Sequence, residues 1–289
     1  MNSFKQWCVE LRKQDYSLGE IVKITKRPKS SVYVHIQNLP LSPRKWQQIR
    51  AAHGARALQI AARRRGKSAK SYRVFDEWTI DTVCLIAHLL FDGEIKRTHC
   101  TYHNRSDTLL YRVGQCMKQI YDPDPKRYRN ASTGVSRICY FNVAFAAYIK
   151  DKANELLTTV PSFPKELKIQ FLRSFFDDEG CMDYRLDRNL RRIRGYQKNV
   201  KILGLVQTLL KDVDIEARVQ MPNEVVIIGK KNLTRFKEEI GFSPGVCING
   251  NRSNSIWKKP LEKREILRRA IASFRPVGSN GVHRGVRIR

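Results

Sequence analysis

Hydrophobic residues follow the same pattern twice along the last two-thirds of the chain. An apolar helix that stops at an acidic residue followed by glycine is predicted over residues 85–93 and again over residues 172–180. Strand-like segments come next, followed by an amphipathic helix over residues 107–121 in the first copy and 199–213 in the second. A short strand and a final helix complete each copy, so the pattern predicts two similar α+β halves.

The positions of four polar residues support a duplication. Asp92 and Glu179 precede the glycines of the two apolar helices, and Asn142 and Asn232 follow the late strand of each copy. The separation between the two acids nearly equals the separation between the two asparagines. Such a repeated spacing is expected of one unit that occurs twice.

The first 45 residues have a different pattern, which predicts three short helices. Ser17 is placed to cap the second helix, and Glu20 at its third position completes a capping box. The second and third helices resemble a helix-turn-helix, with two departures: Lys26 stands where that motif usually has glycine, and Arg27 where it usually has an apolar residue. A three-helix bundle without a role in DNA binding is the alternative.

If the motif binds DNA, the start of its third helix supplies the contacts. The candidate DNA-binding residues there are Lys29, Ser30 and Ser31.

A basic connector joins the helical segment to the duplicated part. Its first portion is predicted to be helical and its second portion, with Arg63, Arg64 and Arg65, to be a flexible strap that follows phosphates. The predicted organisation is a helix-turn-helix-like domain at 1–45, a basic linker at 46–75, a first repeat at 76–160, a second repeat at 161–275 and a flexible basic tail at 276–289.

The charge of the chain indicates its partner. Among 289 residues, 55 Lys and Arg against 27 Asp and Glu give a formal net charge of +28. Such a field attracts polyanions, and nucleic acid is the first candidate. No apolar run approaches the roughly 20 residues that span a bilayer, so no membrane partner is expected.

The cysteines and the N-terminus predict a cytoplasmic, nucleoid-associated protein. The seven cysteines are odd in number and scattered, which favours free thiols in a reducing compartment. The first residues contain no apolar segment of the kind found in a secretory signal.

A single acid followed by glycine at a helix end is usually only a cap, with the glycine in the left-handed conformation. Two equivalent occurrences favour a function for the acids. The other polar residues of the two helices are given simpler roles: Asp177 is expected to cap or to face solvent, Asp178 is left open, and His88 and Arg173 are expected to face away from the helix pair.

The two segments 85–93 and 172–180 resemble the nine-residue motif of the LAGLIDADG homing endonucleases, and the residues around Asn232 and Gly241 are also typical of that family. The resemblance implies a double-motif, monomeric enzyme. Its expected fold class is α+β, with two ααββαββ-like halves related by pseudo-twofold symmetry and preceded by the small all-α helix-turn-helix domain.

The resemblance also implies an active site. Ala87 and Ser174 would lie where the two motif helices touch, and the helix ends would bring Asp92 and Glu179 together to hold Mg²⁺ for hydrolysis of DNA phosphodiester bonds. Lys198 is the candidate for a cation that stabilises the phosphate in the transition state. No lysine occurs in register in the first copy, so either Arg105 replaces it or only one strand is nicked.

In this family each half contributes an antiparallel sheet to the major groove of double-stranded DNA. Arg105 and a basic and aromatic set in the second half fit such a surface: Arg191, Arg192, Arg194, Tyr196 and Arg218.

Two alternatives to an active endonuclease remain open. The same fold occurs in binding proteins, so the chain is either an endonuclease or a non-cleaving transcription regulator or intron-RNA maturase. A basic RNA-binding or ribosome-associated protein unrelated to the family would explain the charge but not the duplication.

Overall fold

The computed structural model describes residues 3–64, 71–250 and 257–274, without the side chains of residues 55–64. The chain divides into two compact units, Met1–Ala69 and Lys70–Arg289. None of the helices in the described part of the chain is long and apolar enough to cross a membrane.

The first unit is helical. Its elements are α1 (Ser3–Lys13), α2 (Leu18–Thr25), α3 (Lys29–Ile36) and α4 (Pro43–Arg64). The first three confirm the predicted helices, and they bury Cys8, Ile21 and Val32 between them. The predicted capping box is present, since Ser17 accepts a hydrogen bond from the backbone of Glu20 while the Glu20 carboxylate accepts one from Ser17.

Helix α4 extends further than the sequence pattern predicted. Arg63 and Arg64, assigned to a flexible strap, form its last residues. Their segment is rich in Ala, Gln and Arg, which are strong helix formers. The rest of the predicted strap, residues 65–70, and the tail from residue 276 lie outside the described residues.

The second unit contains the duplication. Its first half consists of α5 (Ile80–Phe91), β1 (Gly93–Lys96), β2 (His99–Asn104), α6 (Asp107–Ile120), β3 (Lys126–Arg129), β4 (Ser136–Phe141) and α7 (Val143–Thr159). Its second half consists of α8 (Lys165–Glu179), β5 (Gly180–Arg185), β6 (Leu190–Tyr196), α9 (Val200–Asp212), β7 (Ala217–Gln220), β8 (Glu224–Ile228) and α10 (Lys230–Glu239).

Each half forms one four-stranded antiparallel sheet with the same topology. The strand order is β1-β2-β4-β3 in the first sheet, here sheet A, and β5-β6-β8-β7 in the second, here sheet B. The predicted α+β fold class is confirmed. The order of elements in each half is αββαββα, with one helix after the second strand pair.

The asparagines that suggested the duplication occupy different positions. Asn142 caps α7, where its side chain accepts a hydrogen bond from Phe145 N, whereas Asn232 lies inside α10 and donates to Ile228 O at 3.0 Å. Gly229 is the residue that precedes α10. The two halves correspond in their elements rather than at these two residues.

Helix α5 lies at the centre of the second unit. It is apolar on nearly all sides, which is the composition of a buried helix, and residues Thr82–Leu89 are all buried. It packs against α8, and Phe91 makes edge-to-face contacts with Phe171 and Phe175 of that helix. The two motif helices therefore form the core that positions both sheets.

One further helix, which the sequence pattern did not predict, follows the duplication. Helix α11 (Lys263–Ala272) packs against α10 and β5. Its buried residues Ile266, Leu267 and Ala270 recur at helical spacing, so the periodic signal is present but short.

Candidate functional site

The motif helices α5 and α8 pass directly into strands β1 and β5, and glycine makes this passage possible. A Cβ atom at Gly93 would lie 2.3 Å from Leu89 O, and one at Gly180 would lie 2.3 Å from Phe176 O. The left-handed cap predicted for these glycines is wrong, because Gly180 is extended with φ −86° and ψ 150°. Close approach of the preceding helical turn, not a positive φ, requires glycine here.

Asp92 and Glu179, the residues before these glycines, lie at the ends of the packed helices. Asp92 Oδ2 accepts a hydrogen bond from Asn104 Nδ2 at 2.9 Å. Burial and the nearby charge of Asp178 raise the pKa of Asp92 to about 7. Burial and the charges of Asp92 and Asp178 likewise raise the pKa of Glu179 to about 7. The fold therefore brings the two acids into one electrostatic group.

Asp178 adds a third carboxylate, which bridges the two helices. Its side chain is completely buried, and it accepts a hydrogen bond from Tyr102 OH at 2.6 Å and contacts His88 Nδ1 at 2.8 Å. The expectation that His88 faces away from the helix pair is wrong, because this contact joins α5 to α8. Burial alone would lower the pKa of His88, but the charge and hydrogen bond of Asp178 raise it well above its ordinary value.

Asp177, which was expected to cap the helix or to face solvent, is buried as well. Its Oδ1 accepts a hydrogen bond from Ser243 N at 2.9 Å, which attaches the segment after α10 to α8. Its Oδ2 has no hydrogen-bond partner among the described residues, and burial raises the pKa of the carboxyl. Arg173 was expected to face away from the helix pair, and its Nε donates a hydrogen bond to Ile240 O at the end of α10.

A buried lysine lies against this acidic group. Lys263, the first residue of α11, donates from Nζ to Asp177 O at 2.6 Å and to Phe176 O at 3.2 Å, two carbonyls in the last turn of α8. A cation in that place satisfies carbonyls that a helix end leaves free and interacts favourably with the helix dipole. Burial lowers the pKa of Lys263, and the charges of Asp177 and Asp178 oppose that effect.

Lys263 was not among the residues predicted from the sequence, whereas the catalytic role of Lys198 stays a prediction. Lys198 lies exposed between β6 and α9, and among the described residues it forms no ion pair with Asp92 or Glu179. No signal in the sequence marks Lys263, which is one of many basic residues and lies after the duplicated halves.

The predicted helix contact involves two buried residues. Ala87 and Ser174 are both fully inaccessible to solvent, on helices that pack against each other. Ser174 Oγ accepts a hydrogen bond from Gln170 Nε2 at 3.1 Å on its own helix. Their role as the point of closest approach stays a prediction.

A cleft of about 720 Å³ opens beside the acids. Asp92, Asn104, Asp178 and Lys263 contribute to its lining, together with residues of both sheets, whereas Glu179 does not line it. Arg105 lies at this cleft, exposed, and donates from Nε to Thr133 O at 3.0 Å.

The donors at the helix ends suit a hard divalent cation, because carboxylate oxygens are the ligands that Mg²⁺ prefers. Burial and the neighbouring carboxylates raise the pKa of Asp92 and Glu179, so a bound cation would favour their charged forms. No group of three or more His, Cys, Asp or Glu side chains in the described ranges is arranged to hold a metal ion. Two carboxylates would therefore leave most coordination positions to water and substrate.

Sheet B separates the residues that were expected to share one DNA-binding surface. Side chains alternate between the faces of a strand, so Arg192, Arg194 and Tyr196 share the outer face of β6, and Arg191 lies on the opposite face. Arg191 Nε donates to Ser273 Oγ at 2.7 Å, and its guanidinium lies over the Phe274 ring at 5.0 Å. Arg191 is thus held against the segment that follows α11, and its role in DNA binding stays a prediction. Arg218 on β7 is exposed and pairs with Val226 on the same outer face as Arg194.

The candidate DNA-binding residues of the first unit lie in the first turn of α3. Lys29, Ser30 and Ser31 are all exposed. Lys26, where a helix-turn-helix usually has glycine, adopts the left-handed conformation with φ 52° and ψ 25°. The turn thus has the backbone conformation that glycine would favour.

Comparison with solved structures finds three similar chains of particular interest. A variant of I-DmoI in complex with its target DNA and in the presence of magnesium covers 57% of this chain and 97% of its own, with 15% identity and a TM-score of 0.46. Full-length DUF199/WhiA from Thermatoga maritima covers 71% of this chain and 65% of its own, with 17% identity and a TM-score of 0.47. The N-terminal LAGLIDADG domain of DUF199/WhiA covers 60% and 88%, with 20% identity and a TM-score of 0.44.

No curated protein matches the chain. A family model does match one part of it, which contains the second motif helix and all of sheet B. Residues 166–241 of this chain match the model of the LAGLIDADG-like domain.

Proposed function

We propose that this protein is a site-specific DNA endonuclease that uses a divalent metal ion. The observation that carries the proposal is the position of Asp92 and Glu179 at the ends of two packed helices, where burial and the charge of Asp92 raise the pKa of Glu179. The match of residues 166–241 to the LAGLIDADG-like domain supports it.

In this proposal Asp92 and Glu179 hold Mg²⁺. When bound, the ion supplies an activated water and neutralises charge on the leaving oxygen of the phosphodiester. Asn104 orients Asp92 through its hydrogen bond. Lys263 keeps the end of α8 in place and offsets part of the negative charge, since its ammonium group lowers the pKa of both acids.

The proposed substrate is double-stranded DNA, bound by a monomer. The net charge of +28 supports strong attraction to phosphates. The two sheets supply one surface for each half of the target, and a single chain contains both. The first unit would add a contact through Lys29, Ser30 and Ser31, as the second helix of a helix-turn-helix does in the major groove.

A non-cleaving DNA-binding regulator is the second candidate, and a specific observation favours it. Lys263 places an ammonium group against the acidic residues, while Lys198 is exposed and Glu179 does not line the cleft. An ammonium group at this position lowers the need for a metal ion, because it already lowers the pKa of both acids.

Cleavage of a supercoiled plasmid library carrying genomic fragments of the source organism distinguishes the two. Wild type is compared with Glu179→Gln, with Mg²⁺ or with a chelator. Linear product that requires both Mg²⁺ and Glu179 supports the endonuclease, and nicked circles alone support one competent half-site. Specific retention of a fragment without any cutting supports the regulator. Selective retention of intron RNA instead of duplex DNA would support a maturase.

A further inference from the structure

The outer face of sheet B gathers arginines around one carboxylate. Arg192 contacts Asp183 Oδ2 through Nε at 3.0 Å and Nη2 at 2.9 Å. Arg185 Nε lies 3.5 Å from Asp183 Oδ1, and Arg194 Nε lies 3.8 Å from Oδ2. Arg194 Nη1 is in turn held by Glu224 Oε1 at 3.0 Å. These five residues are called the Asp183 cluster below.

Strand pairing explains why the cluster forms. Asp183 of β5 lies directly opposite Arg192 of β6 in the antiparallel ladder. The intervening Ile193 is buried in the core, so alternation turns Arg192 and Arg194 to the other face together. Only 12% of the Asp183 side chain is exposed, which shows that the arginines cover it.

The contact with Asp183 uses one edge of the Arg192 guanidinium and leaves the other edge without a hydrogen bond to the described residues. Nε and Nη2 form the side-on edge, and both point to the same carboxylate oxygen. Nη1 makes no hydrogen bond to any residue that the structure describes. The remaining edge, Nη1 with the second N–H of Nη2, presents two parallel donors, which match the O6 and N7 acceptors of guanine in the major groove.

Sheet A carries its cations in a different way. Arg137 lies over the Tyr128 ring at 4.5 Å and Lys126 over the Phe141 ring at 5.4 Å. Within the described strands of this sheet, Lys96 and Glu94 form the one ion pair. A cation above a ring keeps more orientational freedom than a guanidinium held by two hydrogen bonds, so sheet A lacks the fixed donor geometry of sheet B.

We infer that Asp183 is a positioning residue that fixes Arg192, with Arg194 beside it, for recognition of guanine in the half of the target bound by sheet B. The inference rests on the proposed DNA-binding function and adds to it that the two halves of the target are read with unequal stringency. A guanidinium that is already oriented loses less freedom on binding, so its discrimination between bases is sharper.

The cluster predicts opposite effects on selectivity and on general affinity. Asp183 adds a negative charge to a surface that faces phosphates, so its neutralisation strengthens binding to arbitrary DNA. The same change frees Arg192 and weakens the preference for guanine. A residue that only stabilised the fold would weaken both together.

The test is selection from a library of random DNA duplexes, followed by sequencing of the bound fraction. Wild type is compared with Asp183→Asn and with Arg192→Lys, which keeps the charge but loses the planar fork. Asp187→Asn is the matched control, because Asp187 lies in the same β-hairpin and forms an exposed pair with Arg188 at 3.8 Å. In one half-site we expect the preference for guanine to fall about tenfold in both test variants. The control variant should keep the preference of the wild type.

The outcomes separate the inference from the function on which it rests. Unchanged base preference in Asp183→Asn overturns the inference, and so does an equal loss in both half-sites. Failure of wild type to bind any duplex overturns the DNA-binding function itself. A loss of preference in Asp183→Asn and Arg192→Lys, with equal or tighter binding to unselected DNA in Asp183→Asn, supports it.

Discussion

Gly93 and Gly180 show how closely the motif constrains single residues. Each glycine follows a proposed metal ligand and leaves no room for a Cβ, because the carbonyl oxygen one turn earlier would lie 2.3 Å away. The motif therefore ends in glycine for a steric reason that is independent of metal binding.

We expect Gly180→Ala to lower the free energy of unfolding by about 2–3 kcal/mol, the cost typical of overpacking. Gly204→Ala in α9 is the control. It has no atom within 4 Å of the added methyl group and should raise the free energy of unfolding by about 1 kcal/mol. Urea denaturation of the two variants measures both values. Equal effects of the two substitutions would contradict the steric explanation.

Lys263 acts at the same scale, as a buried ammonium that binds the end of α8. Lys263→Met leaves two buried carbonyls with fewer donors and removes a charge that lowers the pKa of Asp92 and Glu179. We expect a loss of about 2–3 kcal/mol in stability and a shift of the pH optimum of cleavage to higher pH.

The exposed Lys259 provides the matched control for this substitution. Lys259→Met removes the same charge four residues away and should change neither stability nor the pH profile. A pH optimum that stays in place in folded Lys263→Met would show that this lysine has only a structural role.

At the scale of elements, the residue after α2 lies in the left-handed conformation, which affects the stability of the first unit. Lys26 adopts φ 52° there, a conformation that costs a side-chain-bearing residue energy. We expect Lys26→Gly to stabilise the first unit by about 1 kcal/mol, whereas Lys23→Gly inside α2 should destabilise it by a similar amount. The melting temperatures of the two full-length variants, measured by circular dichroism, compare these effects.

The two faces of sheet B differ in their contacts, and this difference leads to a second prediction at this scale. Arg191 binds the end of α11 through Ser273, whereas Arg218 is exposed on the outer face. We expect Arg218→Ala to weaken DNA binding and to reduce its dependence on salt, since one phosphate contact is lost. Arg191→Ala should instead lower stability and leave the salt dependence unchanged. Fluorescence anisotropy at several salt concentrations measures the DNA affinity of both variants. A smaller salt dependence in Arg191→Ala than in Arg218→Ala would assign Arg191 to the DNA surface.

For the whole molecule, the acids make stability depend on pH. The pKa of both Asp92 and Glu179 is raised to about 7, above the value in an unfolded chain. The folded protein therefore binds more protons than the unfolded chain between about pH 4 and pH 7, and the stabilisation present at low pH is lost as pH rises through this window.

We expect the double variant Asp92→Asn/Glu179→Gln to be more stable than wild type at about pH 8 without metal, with little difference at about pH 4. Addition of Mg²⁺ should raise the melting temperature of wild type alone. Differential scanning calorimetry tests this, and a difference between the two proteins that does not vary with pH would contradict it.

Local and periodic features were predictable from the sequence. The apolar motif helices, the capping box at Ser17 and the α+β class follow from residue spacing, which acts within one or two turns of the chain. The charge of the molecule and the placement of Asp92 and Glu179 at helix ends required no knowledge of the packing.

The tertiary structure decided which of these residues meet. Lys263 contacts Asp177 across 86 positions of sequence, and His88 contacts Asp178 across 90. The face of β6 on which Arg191 lies depends on the register with β5, which a one-residue shift would reverse. Sequence spacing by itself determined the motif helices with their terminal acids, whereas contacts between distant segments determined the buried lysine, the bridging histidine and the Asp183 cluster.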